Sequence, residues 1–248
     1  MARGVAPGII FLIFLGTQVD GQPVISAQAG LVHHTEGRVF LNEKALPRQL
    51  GRFPQIRESE VFHTGRGRAE ILLAPGVFLR LGQDTSICML SGMITDAKVE
   101  LLSGEAVLET VELKGIERVT VALGEGSVST SKRGLYRLEA NPPGLRVLKG
   151  KALVVSGNHR IEVKKGREVT LGGSLTAQRF DSRQADALDR WSDRRSRMLA
   201  WVNGVALLRT ARLPAYGDYQ AAGAAISGSG SGRRTRQSAR TYGGGLAP

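Results

Sequence analysis

Val61-Phe62-His63-Thr64-Gly65-Arg66-Gly67-Arg68-Ala69-Glu70-Ile71-Leu72-Leu73-Ala74-Pro75-Gly76-Val77-Phe78-Leu79-Arg80-Leu81-Gly82 is the stretch that decides the fold. Three short apolar runs, at 61–64, 69–73 and 77–81, are separated by Thr64-Gly65 and Pro75-Gly76. Such punctuation places short strands side by side through tight connections. The runs are too short and too interrupted for a helix.

The same grammar extends outward in both directions. Residues 30–36, with His33 and His34, read as a short lead-in, and strands are then predicted at 38–41, 61–64, 69–73, 77–81, 87–90, 99–102, 106–111, 119–123, 127–130, 135–139, 145–148, 152–155, 161–163 and 169–171. Glycines fall between or beside them, where positive φ is needed at low cost. The spacing predicts an all-β domain over 30–176, either a sandwich or a solenoid-like stack of short strands. A weak internal echo links Leu101-Leu102-Ser103-Gly104-Glu105-Ala106-Val107-Leu108 to Val147-Leu148-Lys149-Gly150-Lys151-Ala152-Leu153-Val154. Two copies are compatible with stacking or with two unrelated hairpins. Glu105 and Glu109 read as residues of a solvated strand face.

Near Ala177 the pattern changes. Over 177–204 glycine is scarce, and Ala187, Leu188, Trp191, Met198, Leu199 and Val202 recur at helical spacing. One amphipathic helix packing on the β domain is predicted, with Asp186/Arg190 and Asp193/Arg197 pairs and a stop at Asn203-Gly204. Trp191 reads either as the anchor of this helix or as a partner contact. Residues 205–248, with Ser227-Gly228-Ser229-Gly230-Ser231-Gly232 and Arg233-Arg234-Thr235-Arg236, have the composition of a flexible tail.

The chain carries 34 Lys plus Arg against 22 Asp plus Glu, a formal charge of +12. All twelve cations from residue 177 onward are Arg, which suits acidic lipid or glycan surfaces. At the N-terminus, Arg3, the apolar run from Ile9 to Leu15 and Ala27-Gln28-Ala29 form an export-signal pattern over 1–29, with cleavage expected between Ala29 and Gly30. The run is too short to span a bilayer comfortably. Periplasmic or secreted localisation is therefore expected, with no integral span after cleavage; the alternative is an anchor through an uncleaved N-terminus.

Chemistry is hard to find in this sequence. Cys88 is the only cysteine; it lies in an apolar strand with no basic neighbour to activate it and reads as a small core side chain. None of the four histidines, at 33, 34, 63 and 159, has a second ligand at zinc spacing. No catalytic, cofactor or metal residues are assigned. The expected partner is an envelope protein or an anionic glycan, met through Arg66, Arg68 and Trp191, and nucleic acid is not expected. The oligomeric state is not legible.

The motifs Glu36-Gly37-Arg38-Val39-Phe40, Val61-Phe62-His63-Thr64-Gly65, Ala69-Glu70-Ile71-Leu72-Leu73-Ala74-Pro75-Gly76, Leu79-Arg80-Leu81-Gly82, Leu102-Ser103-Gly104-Glu105-Ala106 and Val147-Leu148-Lys149-Gly150-Lys151-Ala152 resemble the FecR-type domain family. The resemblance covers about Gly37 to Leu171. It implies an all-β periplasmic module that binds another protein, with no catalytic residues to carry over. In full regulators of that family a cytoplasmic helical arm restrains a sigma factor, and a membrane helix links the arm to the β module. Only eight residues precede Ile9 here, so direct sigma-factor control is not expected. Ser131-Lys132-Arg133-Gly134-Leu135-Tyr136 keeps the glycine of the family's Val-x-Gly-Thr-x-Phe segment and departs around it. The combined expectation is a non-enzymatic sensing or recognition module; the rival is a structural component tethered to acidic wall polymer or lipid by its Arg-rich tail.

Overall fold

The structure, a computed structural model, describes residues 28–47, 53–111, 116, 118–181 and 185–210. Its elements are β1 (Leu31–Leu41), β2 (Lys44–Ala45), β3 (Val61–Ala74), β4 (Val77–Leu81), β5 (Ser86–Ser91), β6 (Asp96–Ser103), β7 (Glu105–Thr110), β8 (Arg118–Leu123) and β9 (Gly126–Thr130). They continue with β10 (Gly134–Ala140), β11 (Pro143–Lys149), β12 (Lys151–Ser156), β13 (His159–Lys164), β14 (Arg167–Thr170), β15 (Gln178–Arg179) and α1 (Ala187–Thr210). The chain divides into two units, Met1–Asp189 with these strands and Arg190–Pro248 with most of α1. The fold is all-β with one helix near the C-terminus. The export-signal pattern of 1–27 and the tail of 211–248 lie outside the described residues.

The strands join in one sheet, ordered β13-β12-β9-β8-β6-β5-β3-β4-β7-β10-β11-β14-β15, with β1 on β3 and β2 on β1. β13 and β14 stand near opposite ends of that order, yet only Lys165 and Gly166 separate them in the chain. The sheet must therefore curl until its two halves face each other. One half is β13-β12-β9-β8-β6-β5 and the other is β4-β7-β10-β11-β14-β15. All pairings are antiparallel except β6 with β8, because the chain leaves β6, runs through β7 in the opposite half, and only then returns as β8.

Alternation supplies the core. In β8, Val119, Val121 and Leu123 are buried while Arg118, Thr120 and Ala122 face outward. β12 repeats this with Ala152 and Val154, and β4 with Val77, Leu79 and Leu81. These inward residues form one cluster between the halves, each Val or Leu contributing roughly 2 kcal/mol by leaving water.

One strand holds the halves together. β3 pairs with β5 through Val61↔Cys88, Phe62↔Ile87 and His63↔Ser86, and with β4 from Ala69↔Leu81 to Ala74↔Val77. Between these stretches β3 crosses β1 at very close range. A Cβ on Gly67 would stand 2.5 Å from the Glu36 carbonyl oxygen and 2.7 Å from that of Arg38. Opposite it, Gly37 has φ +71°, and a Cβ there would meet the Arg66 carbonyl oxygen at 2.3 Å. Thr64-Gly65 is therefore not a turn, as expected from sequence, but part of one bent strand, and the predicted strands at 61–64 and 69–73 are a single element. The predicted lead-in at 30–36 is likewise strand, because β1 follows β3 along its length from Leu31↔Leu72 to Leu41↔Phe62.

Hydroxyls fix the corner beside this bend. Thr64 Oγ1 donates to the Gly82 carbonyl at 2.6 Å and accepts the Thr85 amide at 3.0 Å. Thr85 Oγ1 accepts the Glu105 amide at 3.1 Å, beside Gly104, whose φ of +77° turns the chain from β6 into β7.

The outer face of the β4 half is charged. Register places Glu70, Arg80, Val107, Arg137, Arg146 and Glu168 in one row across six strands. Arg80 is fully buried; its Nε donates to Glu70 at 2.7 Å and its Nη1 to Glu109 at 2.7 Å. Its guanidinium carbon lies 5.6 Å from the Phe78 ring centroid. Glu70 also faces His33 Nδ1 at 2.8 Å. Arg137, equally enclosed, binds Glu105, Asp186 at 2.6 Å and Asp189 at 3.4 Å. Glu105 and Glu109 are thus partners of buried arginines rather than members of a plain solvated face.

Asp186 also caps α1. Its Oδ1 accepts the Asp189 amide at 2.8 Å, and the Asp189 carboxylate accepts the Asp186 amide at 3.2 Å, a reciprocal box. The helix starts later than the predicted 177 and runs through Asn203-Gly204 to Thr210, so the expected stop at Asn203-Gly204 does not occur. Leu188 and Trp191 are buried, whereas Met198 and Val202 are exposed, as is Trp201 at 70%. The Asp193–Arg197 pair forms at 2.8 Å. Cys88 is only half-buried, on the outward side of β5, and not the core side chain expected.

Two outcomes follow from these contacts. Gly67→Ala should lower stability by about 1–3 kcal/mol, since backbone oxygens on both sides cannot yield, whereas Gly144→Ala, whose Cβ would meet nothing closer than 3.6 Å, should stay within ~0.5 kcal/mol; denaturant unfolding measures both. Burial works to raise the Asp186 carboxyl, but the Asp189 amide and the Arg137 charge outweigh it and hold the group below its ordinary range. Its contribution is thus present above the ordinary carboxylate pKa and is lost as pH falls through the depressed one. Amide exchange at Asp189 should quicken over that acidic window.

Candidate functional site

Two clefts open on the described surface of the first unit. The larger, about 690 Å³, is lined by Gln28, Gln55, Arg57, Glu58, Met93 and Thr95 among others. Three separate segments form it, and backbone bonds hold them in place. The Ala29 amide donates to the Gly92 carbonyl at 2.9 Å, the Ile56 amide to Gly30 at 2.9 Å, and the Ser59 amide to Met89 at 2.8 Å. The Gly92 amide donates to Glu58 Oε1 at 2.8 Å. Ile56 is buried at the cleft's base, and Met93 stands 58% exposed at its rim. Gly30 permits the crossing: with φ +93°, a Cβ there would lie 2.6 Å from the Ile56 carbonyl oxygen.

The second cleft, about 330 Å³, lies at the corner between β9 and β10, where Arg118, Lys132, Lys151 and Arg160 share the lining with one carboxylate, Glu162; Arg118 Nε also lies 3.7 Å from Asp96, outside the lining. Ser129, Thr130 and Ser131 also line it. A buried phenol fixes this corner. Tyr136 Oη donates to the Lys151 carbonyl at 2.9 Å and lies 2.8 Å from Thr130 Oγ1. Thr110 Oγ1 donates to the Lys132 carbonyl at 2.7 Å from the opposite half of the sheet. Burial pushes the Tyr136 phenol above its ordinary pKa, so it remains a neutral donor. Lys151 hydrogen-bonds Glu162 and, with Lys164 and Lys132, holds that carboxyl below its usual range despite some opposing desolvation.

The residues singled out from sequence do not converge. Arg66 is exposed at the bend of β3, and Arg68, partly buried, stands opposite Glu36. Trp191 is 2% exposed, which removes it as a surface aromatic. Ala29 lines the larger cleft, and Gly30 lies just beneath it. None of Arg66, Arg68 and Trp191 lines either cleft. The basic corner was missed because its cations come from β8, the β9–β10 connection, β12 and β13, and only register joins them. The legible signal was Ser127, Ser129 and Ser131 at every second position of one strand and its end. Among the described residues, no group of three His, Cys, Asp or Glu side chains is placed to hold a metal ion.

No family model matches the sequence, and no curated protein matches it. Among solved structures, the chain is similar to two crystal structures of a "putative anti-sigma factor" from Parabacteroides distasonis ATCC 8503, with 15% and 14% identity. Each match has a TM-score of 0.42 and covers 49% of this chain and 59% of that one. This chain thus spans less than two thirds of the neighbour's length.

The phenol at the basic corner gives a direct test. Tyr136→Phe leaves the Lys151 carbonyl and the Thr130 hydroxyl without their buried partner, and should lower stability by about 1–3 kcal/mol. Thermal unfolding against the parent protein reads the loss.

Proposed function

We propose that the protein is an exported, non-catalytic recognition module of the cell envelope that captures a segment of another protein at the cleft around Met93. The observation that carries this reading is the combination of a fixed backbone floor with an exposed apolar rim. A rigid floor spares a ligand the entropy of ordering the site. Met at the rim offers a polarizable, adaptable surface, and Gln28, Gln55, Arg57 and Glu58 supply hydrogen-bonding groups for a peptide backbone or polar side chains. The FecR-type turn and strand motifs support a module of this kind, and the export pattern before residue 30 supports the address.

The fold bears on where export would trim the chain. The Gly30 amide donates to the Leu72 carbonyl at 3.0 Å, Ala29 is buried, and Gln28 bridges to Met93. A cut between Ala29 and Gly30 would strip away two of these ties and leave an ammonium inside the fold. A cut upstream of Gln28 keeps all three, and it is the one proposed for the mature protein.

Photo-crosslinking in cells tests the site. A benzophenone amino acid at Met93 or Thr95 should trap a discrete protein partner, and the same probe at Arg167, on β14, should not. Equal labelling from all three positions would remove the cleft from consideration. N-terminal mass determination on envelope-fraction protein should find Gln28 retained; a chain starting at Gly30 would refute the upstream cut.

A further inference from the structure

The basic corner is independent of the Met93 cleft and has a chemistry of its own. Among the described residues lining it, four cations meet one carboxylate, and that carboxylate is already bound by Lys151. Arg160 and Lys132 make no side-chain bond with another described residue, nor do the hydroxyls of Ser129 and Ser131. The groups presented are therefore hydrogen-bond donors and positive charge, Ser129 and Arg160 on strands and Ser131 and Lys132 in the short connection from β9 to β10. Tyr136 and Thr110 fix the backbone of Lys151 and Lys132 from below, so the stems of these two cations are brought to one corner before any ligand arrives.

The dimensions select the kind of anion. Arg118 starts β8 and Lys151 starts β12, with β9 between them. With Lys132 at the end of β9 and Arg160 on β13, the four cations are spread over four adjacent strands, roughly 14 Å of backbone at about 4.8 Å per strand, a spread suited to a ligand that carries several charged groups. No aromatic side chain is among the lining residues, whereas sequence-tolerant nucleic-acid sites stack bases on aromatics. We propose that this corner binds the charged groups of an anionic glycan, with Lys132, Lys151, Arg160 and Arg118 on its oxyanions and Ser129 and Ser131 donating to them.

The full chain, Arg-rich tail included, is titrated with dextran sulfate and separately with sodium alginate at fixed salt, because such binding is salt-dependent. The expected result is saturable binding to at least one polymer, weakened about tenfold or more in Lys132→Glu/Arg160→Glu. Ser129→Ala/Ser131→Ala should weaken it by a smaller factor of about three. These side chains are at or near the surface, so melting temperatures should match the parent; if the charge-reversal variant fails to fold, the serine variant still decides. Dextran sulfate against alginate distinguishes sulfate from carboxylate as the group recognised. The proposal fails if neither polymer binds, or if both variants bind as the parent does, which would place binding on the tail. It also fails if inorganic phosphate alone binds as tightly as the polymer, or if single-stranded DNA binds as tightly and is lost in the same variants.

Discussion

The close approach of Gly67 to the carbonyls of β1 is the constraint on which the rest of the structure depends. It lets a single strand leave one half of the sheet and enter the other without a loop, so the curled sheet has a continuous spine. Every inward residue of the core is placed by hydrogen-bond registers that trace back to β3. A side chain at that crossing would push β1 and β3 apart where the sheet turns, and the two halves would lose their common edge.

The charged row over the β4 half guards the same geometry by other means. Arg80 and Arg137 sit beside inward Leu79, Leu81, Tyr136 and Leu138, and strand side chains alternate between faces. A slip of one residue would carry a guanidinium into the apolar core and move a leucine outward. Buried ion pairs are poor sources of net stability, but Arg80 with Glu70 and Glu109, and Arg137 with Glu105 and Asp186, make the wrong registers very unfavourable. The second of these clusters also holds the residue that caps α1, so register in the sheet and the start of the helix are set by one group of contacts.

Much of the architecture was legible because alternation and glycine turns are local signals. Val77 to Leu81 and Val119 to Leu123 read as strands and are strands. Thr64-Gly65 misled because a glycine inside a bent strand looks in sequence like one that permits a turn. The echo between residues 101–108 and 147–154 marks two corners of similar design, at Gly104 and Gly150, with φ +77° and +80°. One passes from the β6 half to the β7 half and the other passes back, so the likeness belongs to the corner and not to a translated repeat. Nothing local announces the burial of Arg80 and Arg137, because their acids come from distant segments: Glu70 on β3, Glu105 and Glu109 on β7, and Asp186 and Asp189 at the start of α1. The basic corner escaped for the same reason.

The order in which the chain visits the two halves has its own consequence. After β4 it enters one half for β5 and β6, crosses for β7, returns for β8 and β9, crosses again for β10 and β11, returns for β12 and β13, and crosses once more for β14. Neither half is assembled from consecutive chain, so no truncation point yields an autonomous subdomain. A polypeptide emerging from its N-terminus holds two partial layers with open edges until residue 170 has appeared. Topologies dominated by distant partners fold slowly, in milliseconds to seconds, and unpaired edges invite association in the meantime. Such a chain gains from being kept extended until it is complete, and its maturation is governed by the arrival of its last hairpin.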